Sequence, residues 1–197
     1  MNYDSKITRE QFMFHEMRIT AKLYRQGLSR EEIIQAITKD NLFQYPTGKT
    51  IKSMAEVTLK RLDVLNDERL VEAIATESAD VAKQICLYAM MLQYPIVRDF
   101  MINEIGEKFR TMDYTYRKMD LNMFFFRLQE QHERVASWGD TTARKIKQVL
   151  YKILVDANYI FNIHSTELQP VWISPILKKA IQRRGDTSAL AAFNCFW

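Results

Sequence analysis

Glycine and proline are scarce in this chain, with five and four in 197 residues. Few positions therefore let the backbone reverse freely or stop a helix. Cysteine is scarcer still. Cys86 lies in an apolar run and Cys195 near the end of the chain, which gives neither a disulfide framework nor a zinc-binding spacing. His15, His132 and His164 are far apart in sequence, so no metal site and no cofactor are expected. No apolar run approaches the roughly 20 residues that span a bilayer. The polar N-terminus, MNYDSKITREQF, lacks the apolar centre of a secretory signal, and the expected location is the cytoplasm.

Catalytic patterns are missing too. His132 sits in the polar stretch 129–134 with no paired nucleophile. Gly48-Lys49-Thr50 ends like a phosphate-binding loop, but Phe43 stands where the first glycine belongs and no strand precedes it. The chain is read as a protein that is not an enzyme.

What the sequence does have is helical periodicity. Hydrophobic residues make up 47% and charged residues 26%, enough apolar surface to fold rather than stay disordered. Phe12, Met13, Met17, Leu23 and Tyr24 form a stripe over 9–26, after which Gly27 suits a left-handed cap. Ser29-Arg30-Glu31-Glu32 has the capping-box pattern. A loop over 40–48 then leads to a helix over 49–65, and the pair, 29–65, makes a loose helix-turn-helix whose connection exceeds the standard length. Helices follow over 67–75, 78–93, 95–109 and 120–138, the last carrying Phe124, Phe125 and Phe126 as expected core.

Gly139 ends that series, and a further helix over 140–158 has Ile146, Val149, Leu150, Ile153 and Leu154 on one face. Apolar residues alternate around a polar turn in 159–173, which predicts a short β-hairpin. Ser174-Pro175 starts a last helix. The expected fold class is all-α, with one short C-terminal hairpin giving a winged-helix-like end. The expected organisation is an N-terminal helical bundle, 1–139, with a basic C-terminal unit, 140–197, on the same core.

Charge is unevenly distributed. Residues 140–197 hold 8 basic and 4 acidic residues, leaving 20 of each in 1–139, so the whole excess of +4 lies near the C-terminus. Arg144, Lys145, Lys147 and Lys152 mark one helix, and Lys178, Lys179, Arg183 and Arg184 the next. Either cluster alone is what any solvated helix face carries. Together, and joined by Lys49, Lys52, Lys60 and Arg61, they are expected to form a phosphate-binding surface. Glu56 near Lys52 argues against base reading by the 49–65 helix.

Five blocks, taken in order, carry a family resemblance. They are Gly27-Leu28-Ser29-Arg30-Glu31-Glu32-Ile33, the helix that follows to Leu62, Tyr94-Pro95-Ile96-Val97-Arg98-Asp99-Phe100, Thr142-Ala143-Arg144-Lys145-Ile146-Lys147-Gln148-Val149-Leu150 and Ile173-Ser174-Pro175-Ile176-Leu177. The chain resembles the BrxA family of bacteriophage-exclusion (BREX) phage-defence systems. That resemblance implies a compact helical protein similar to the NusB-type fold and without catalytic activity. It further implies binding to double-stranded DNA beside other BREX proteins, among them a methyltransferase and an ATPase. An adaptor role within the assembly and RNA binding through a NusB-like fold are the alternatives. No membrane is implied by the sequence, and the oligomeric state is left open.

Overall fold

Ser29 begins the most sharply defined helix of the chain. Its hydroxyl accepts the Glu32 N–H while the Glu32 carboxylate accepts the Ser29 N–H at 2.7 Å, completing the capping box. The computed structural model describes residues 3–196. These residues are helical, without strands, and divide into two units: 12–93, and a second made of 1–11 with 94–197. The division falls at 11/12 and 93/94 rather than at 139/140.

The first unit holds α1 (Phe14–Tyr24), α2 (Arg30–Lys39), α3 (Gly48–Leu65), α4 (Glu68–Thr76) and α5 (Ala79–Gln93). α1 starts later than its apolar stripe suggests. Met13 adopts a left-handed conformation (φ 56°), so the chain enters the helix only after Phe12 has been buried separately. Ile33, Ile37, Phe43, Ile51, Ala55 and Leu59 form a core between α2 and α3. α3 also packs against α1 and α5. In α5, residues 85–91 are buried throughout, and burial pushes the Cys86 thiol up to about 12, leaving it inert as a nucleophile.

Packing of α3 on several sides corrects the expectation for Arg61. Helical geometry puts Lys49, Lys52 and Lys60 within one solvent-facing arc, but Arg61 falls on the far side with Val57, Thr58 and Leu65. Arg61 is fully buried, and its Nη1 donates to the Phe12 carbonyl at 3.0 Å. It holds the chain entering α1 and faces no phosphate.

In the second unit, α6 (Pro95–Asp99) passes into a π-helical turn (Phe100–Ile105) and on into α7 (Gly106–Arg110). Pro95 occupies the first turn, where its missing N–H costs nothing. A 3-10 segment, Thr187–Phe193, lies against this stretch, and a Cβ on Gly106 would stand only 3.0–3.1 Å from Ala191. Arg98 clamps the start of that segment, donating to Asp186 at 2.5 and 3.0 Å and to Ser188 at 2.9 Å. Near the C-terminus, Phe193 is fully buried and Phe196 is exposed; Trp197 lies outside the described residues. Residues 1–11 are tied down by Tyr3 donating to Asp99 and Tyr94 donating to Glu10.

α8 (Lys118–Gln131) ends before the predicted helix does. His132 is extended (φ −138°, ψ 105°), and the short α9 (Glu133–Ala136) follows. Phe124 and Phe125 are core as expected, whereas Met123 and Phe126 are exposed. α10 (Asp140–Asp156) and α11 (Pro175–Arg184) complete the unit.

The hairpin expected over 159–173 is absent among the described residues. This connector pairs instead with 114–116: Thr115 and Glu167 form an isolated antiparallel bridge, the Tyr116 N–H donates to Thr166 and the Leu168 N–H donates to Tyr114, both at 2.8 Å. Tyr159 is drawn inward, its hydroxyl donating to the Ala192 carbonyl at 2.8 Å, and the two arms of the run bond to each other where the Gln169 N–H meets the Tyr159 carbonyl, short of a hairpin ladder.

Three substitutions, with Lys60→Ala as an exposed control, test these contacts by denaturant unfolding. Ser29→Ala is expected to lower stability by about 1 kcal/mol. The Glu32 carboxyl is held below its usual range, chiefly by the Ser29 N–H. Its contribution is therefore complete at neutral pH and fades as pH falls through that lowered value. Gly106→Ala is expected to cost about 1–3 kcal/mol, because backbone atoms of Ala191 stand where the methyl group must go. Arg61→Ala is expected to cost about 3 kcal/mol, while exposed Lys60→Ala stays within about 0.5 kcal/mol.

Candidate nucleic-acid interface

The cations fall into separate groups once burial has sorted them. On α3 of the first unit, Lys49, Lys52 and Lys60 are exposed. Lys52 and Lys60 stand two turns apart, about 12 Å along the axis. They line one wall of a groove whose other wall is α2, with Arg30, Glu31, Ile34, Gln35, Thr38 and Lys39. The groove has a volume of about 670 Å³. Its charge is mixed, since Glu31 and Glu56 stand among Arg30, Lys39, Lys52 and Lys60, and Arg30 is itself paired with Asp63 at 2.8 Å. Arg30 and Lys39 were missed in the sequence. The available signal was the i, i+4, i+8 spacing of Arg30, Ile34 and Thr38, which sets one edge of α2 along the groove.

In the second unit, burial of Ile146, Val149, Leu150, Ile153 and Leu154 turns Arg144, Lys145 and Lys152 outward on the other side of α10. Lys152 donates to the Gln11 side chain at 3.2 Å. Lys147 leaves this group. It lies on the flank facing α8, donates to Asn122 Oδ1 at 2.8 Å and sits 5.6 Å from the centre of the Phe125 ring, a cation–π distance.

On α11, Lys179, Arg183 and Arg184 are exposed and Lys178 is half-buried. Lys179 and Arg183 are one turn apart, and Arg183 Nε donates to the Lys179 carbonyl at 3.3 Å. No acidic residue occurs between Glu167 and Asp186. α10 and α11 do not pack along one another. α10 lies against α8 and the 3-10 turn Lys6–Thr8, and α11 against Thr187–Phe193.

Among the described residues no group of three or more His, Cys, Asp or Glu side chains is placed to hold a metal ion. His132 is half-buried, its ring 4.6 Å from that of Tyr3. Glu104 is raised by burial, with its Arg127 partner pulling the other way. No single helix among the described residues is long and apolar enough to cross a membrane.

Comparison with known proteins places this arrangement in a family. Residues 1–185 match the BrxA family. The chain is similar to a BREX protein BrxA of Bacillus cereus (strain H3081.97), 34% identical over 160 residues that cover 81% of this chain and 80% of that protein. It is similar to a BREX protein BrxA of Escherichia coli O9:H4 (strain HS), 26% identical over 179 residues that cover 91% and 84% of the two chains. The crystal structure of an uncharacterized protein from Magnetospirillum magneticum shares the fold, with a TM-score of 0.81, 20% identity and 98% of each chain covered. With a family match over nearly its whole length and relatives that agree in name, this chain belongs to the BrxA family of BREX phage-defence systems.

Proposed function

We propose that this chain is a non-enzymatic, cytoplasmic component of its BREX system that binds double-stranded DNA, mainly through phosphate contacts. The observation that carries this reading is the outward face of α10, where Arg144, Lys145 and Lys152 stand opposite a fully apolar buried stripe. α11 adds Lys178, Lys179, Arg183 and Arg184 in a stretch without acidic residues. Exposed Lys and Arg side chains neutralise phosphates and release counterions, and this needs no pocket and no sequence reading. Lys49, Lys52 and Lys60 are a secondary group, because Glu31 and Glu56 would repel a phosphate backbone lying in their groove. Arg61 is excluded by its burial, and Lys147 is half-buried and turned toward α8, whereas Lys152 stays exposed beside its bond to Gln11.

The mixed groove between α2 and α3 favours a second reading, in which the chain is an adaptor for other BREX proteins such as the methyltransferase or the ATPase. Ile34 and the lysine stems offer apolar surface there, and charges of both signs line it, as suits a protein partner. RNA is the third class of partner, and competition between duplex DNA and structured RNA separates it from the first.

Binding of a labelled duplex across a salt series tests the first reading. The expected result is affinity that falls steeply with salt, with Arg144→Glu plus Lys145→Glu lowering the steepness by about 2 and the affinity about tenfold or more. Absence of duplex binding at low salt overturns it. Salt-insensitive co-purification with the methyltransferase or ATPase, unchanged by these reversals and by Lys178→Glu plus Lys179→Glu, points to the adaptor.

A further inference from the structure

The connector between α10 and α11 carries the two most exposed large apolar side chains of the described residues, Phe161 and Trp172, with Ile163 near Phe161 in sequence. Phe161 is 84% exposed, Trp172 83% and Ile163 54%. Apolar side chains gain stability when removed from water, so their display on the surface is a cost unless something covers them.

The connector is nevertheless ordered. Its backbone is held by the bonds to Tyr114 and Tyr116, by the Gln169 N–H donating to the Tyr159 carbonyl at 2.8 Å, and by the Tyr151 hydroxyl donating to the Ser165 carbonyl at 2.7 Å. The Asn162 side chain accepts the His164 N–H at 2.8 Å and tightens the turn between Phe161 and Ser165. Leu168 and Tyr159 face the core. The aromatic side chains are thus held outward by a fixed backbone and do not belong to a loose loop.

Resting on the DNA-binding reading, we propose that Phe161 and Trp172 contact the base stack of a bound duplex, with Phe161 or its neighbour Ile163 acting as an apolar wedge at a base step. Charge selects this occupant. Trp172 leads directly into α11, whose Lys178, Lys179, Arg183 and Arg184 occupy a stretch with no acidic residue from 168 to 185. Glu167 is the one acidic residue of the connector. A ligand that is anionic outside and apolar between its planes satisfies both features, since phosphates meet the cations while base faces meet the rings. Phosphate contact alone would leave the rings in water.

The test compares the full-length wild-type chain with Phe161→Ala plus Trp172→Ala, using a labelled duplex over a salt series and a duplex carrying 2-aminopurine. Both side chains are exposed, and unchanged thermal unfolding of the variant confirms that it folds. The variant is expected to bind about tenfold or more weakly at every salt concentration, while the slope against salt stays that of the wild type because no cation has been removed. The wild-type chain should raise 2-aminopurine emission and the variant should not. Affinity within about twofold of wild type, or no emission change on wild-type binding, overturns the base-stack contact and leaves phosphate binding standing. Tighter binding to the single strand than to the duplex overturns the assignment to a duplex. Unchanged duplex binding with loss of co-purifying methyltransferase or ATPase gives the loop to a protein partner instead. No duplex binding by the wild-type chain at low salt ends both readings.

Discussion

The buried guanidinium of Arg61, donating to the Phe12 carbonyl, is the contact on which the first unit is arranged. A charge taken out of water is tolerated only where its surroundings replace that water. Here the Phe12 carbonyl does so, accepting from Nη1 at 3.0 Å. The Phe12 carbonyl precedes the left-handed turn at Met13 that aims α1, and the Arg61 charge is near enough to Tyr45 and Cys86 to counter the rise that burial imposes on each. The side chain therefore ties α3 to the entry of α1. The hydroxyl of Thr20 donating to Thr58, buried one helical turn from Arg61, extends this polar seam between α1 and α3.

The seam also explains why α3 was only half legible. Its apolar residues announced a helix, and Ile51, Leu62 and Leu65 are buried as the periodicity requires. Nothing in a one-sided pattern reveals that a second face is covered as well. Lys60 and Arg61 are adjacent basic residues, about 100° apart around the helix, and that angle alone puts one in solvent and the other in the core. The same arithmetic separates Lys147 from Lys145 on α10. Ser29, Gly27 and Pro95 were readable because their information is local: a side chain that caps, a backbone that tolerates positive φ, a ring that fits the first turn. The hairpin was misread because its alternation is also local, whereas the partner that claimed its backbone, residues 114–116, lies more than forty residues earlier. Charge counts located the basic helices but could not say which cations other side chains had already engaged.

Between the two units the electrostatic settings differ in kind. The α2–α3 groove interleaves Arg30, Lys39, Lys52 and Lys60 with Glu31 and Glu56, so any field it projects is short-ranged and falls within a Debye length of about 8–10 Å. The run through α11 has four cations and no anion, and its field adds along the helix. Mixed charge selects partners through matched pairs, while charge of one sign attracts polyanions with little regard to detail. On that ground the DNA-binding proposal draws on the charge of the second unit and the adaptor proposal on that of the first.

Order in the connector bears on how selective that attraction can be. Cations on helices supply affinity without register, because a phosphate backbone looks alike at every step. Rings fixed at defined positions respond instead to how readily a base step opens, and the cost of opening varies with sequence even where no base edge is read. Tyr159 anchored to Ala192 and Ser165 anchored to Tyr151 fix those positions from the core outward. The buried end of the connector thus sets the geometry that its exposed end offers, and under the proposed base-stack contact that fixed geometry favours deformable DNA over stiff DNA.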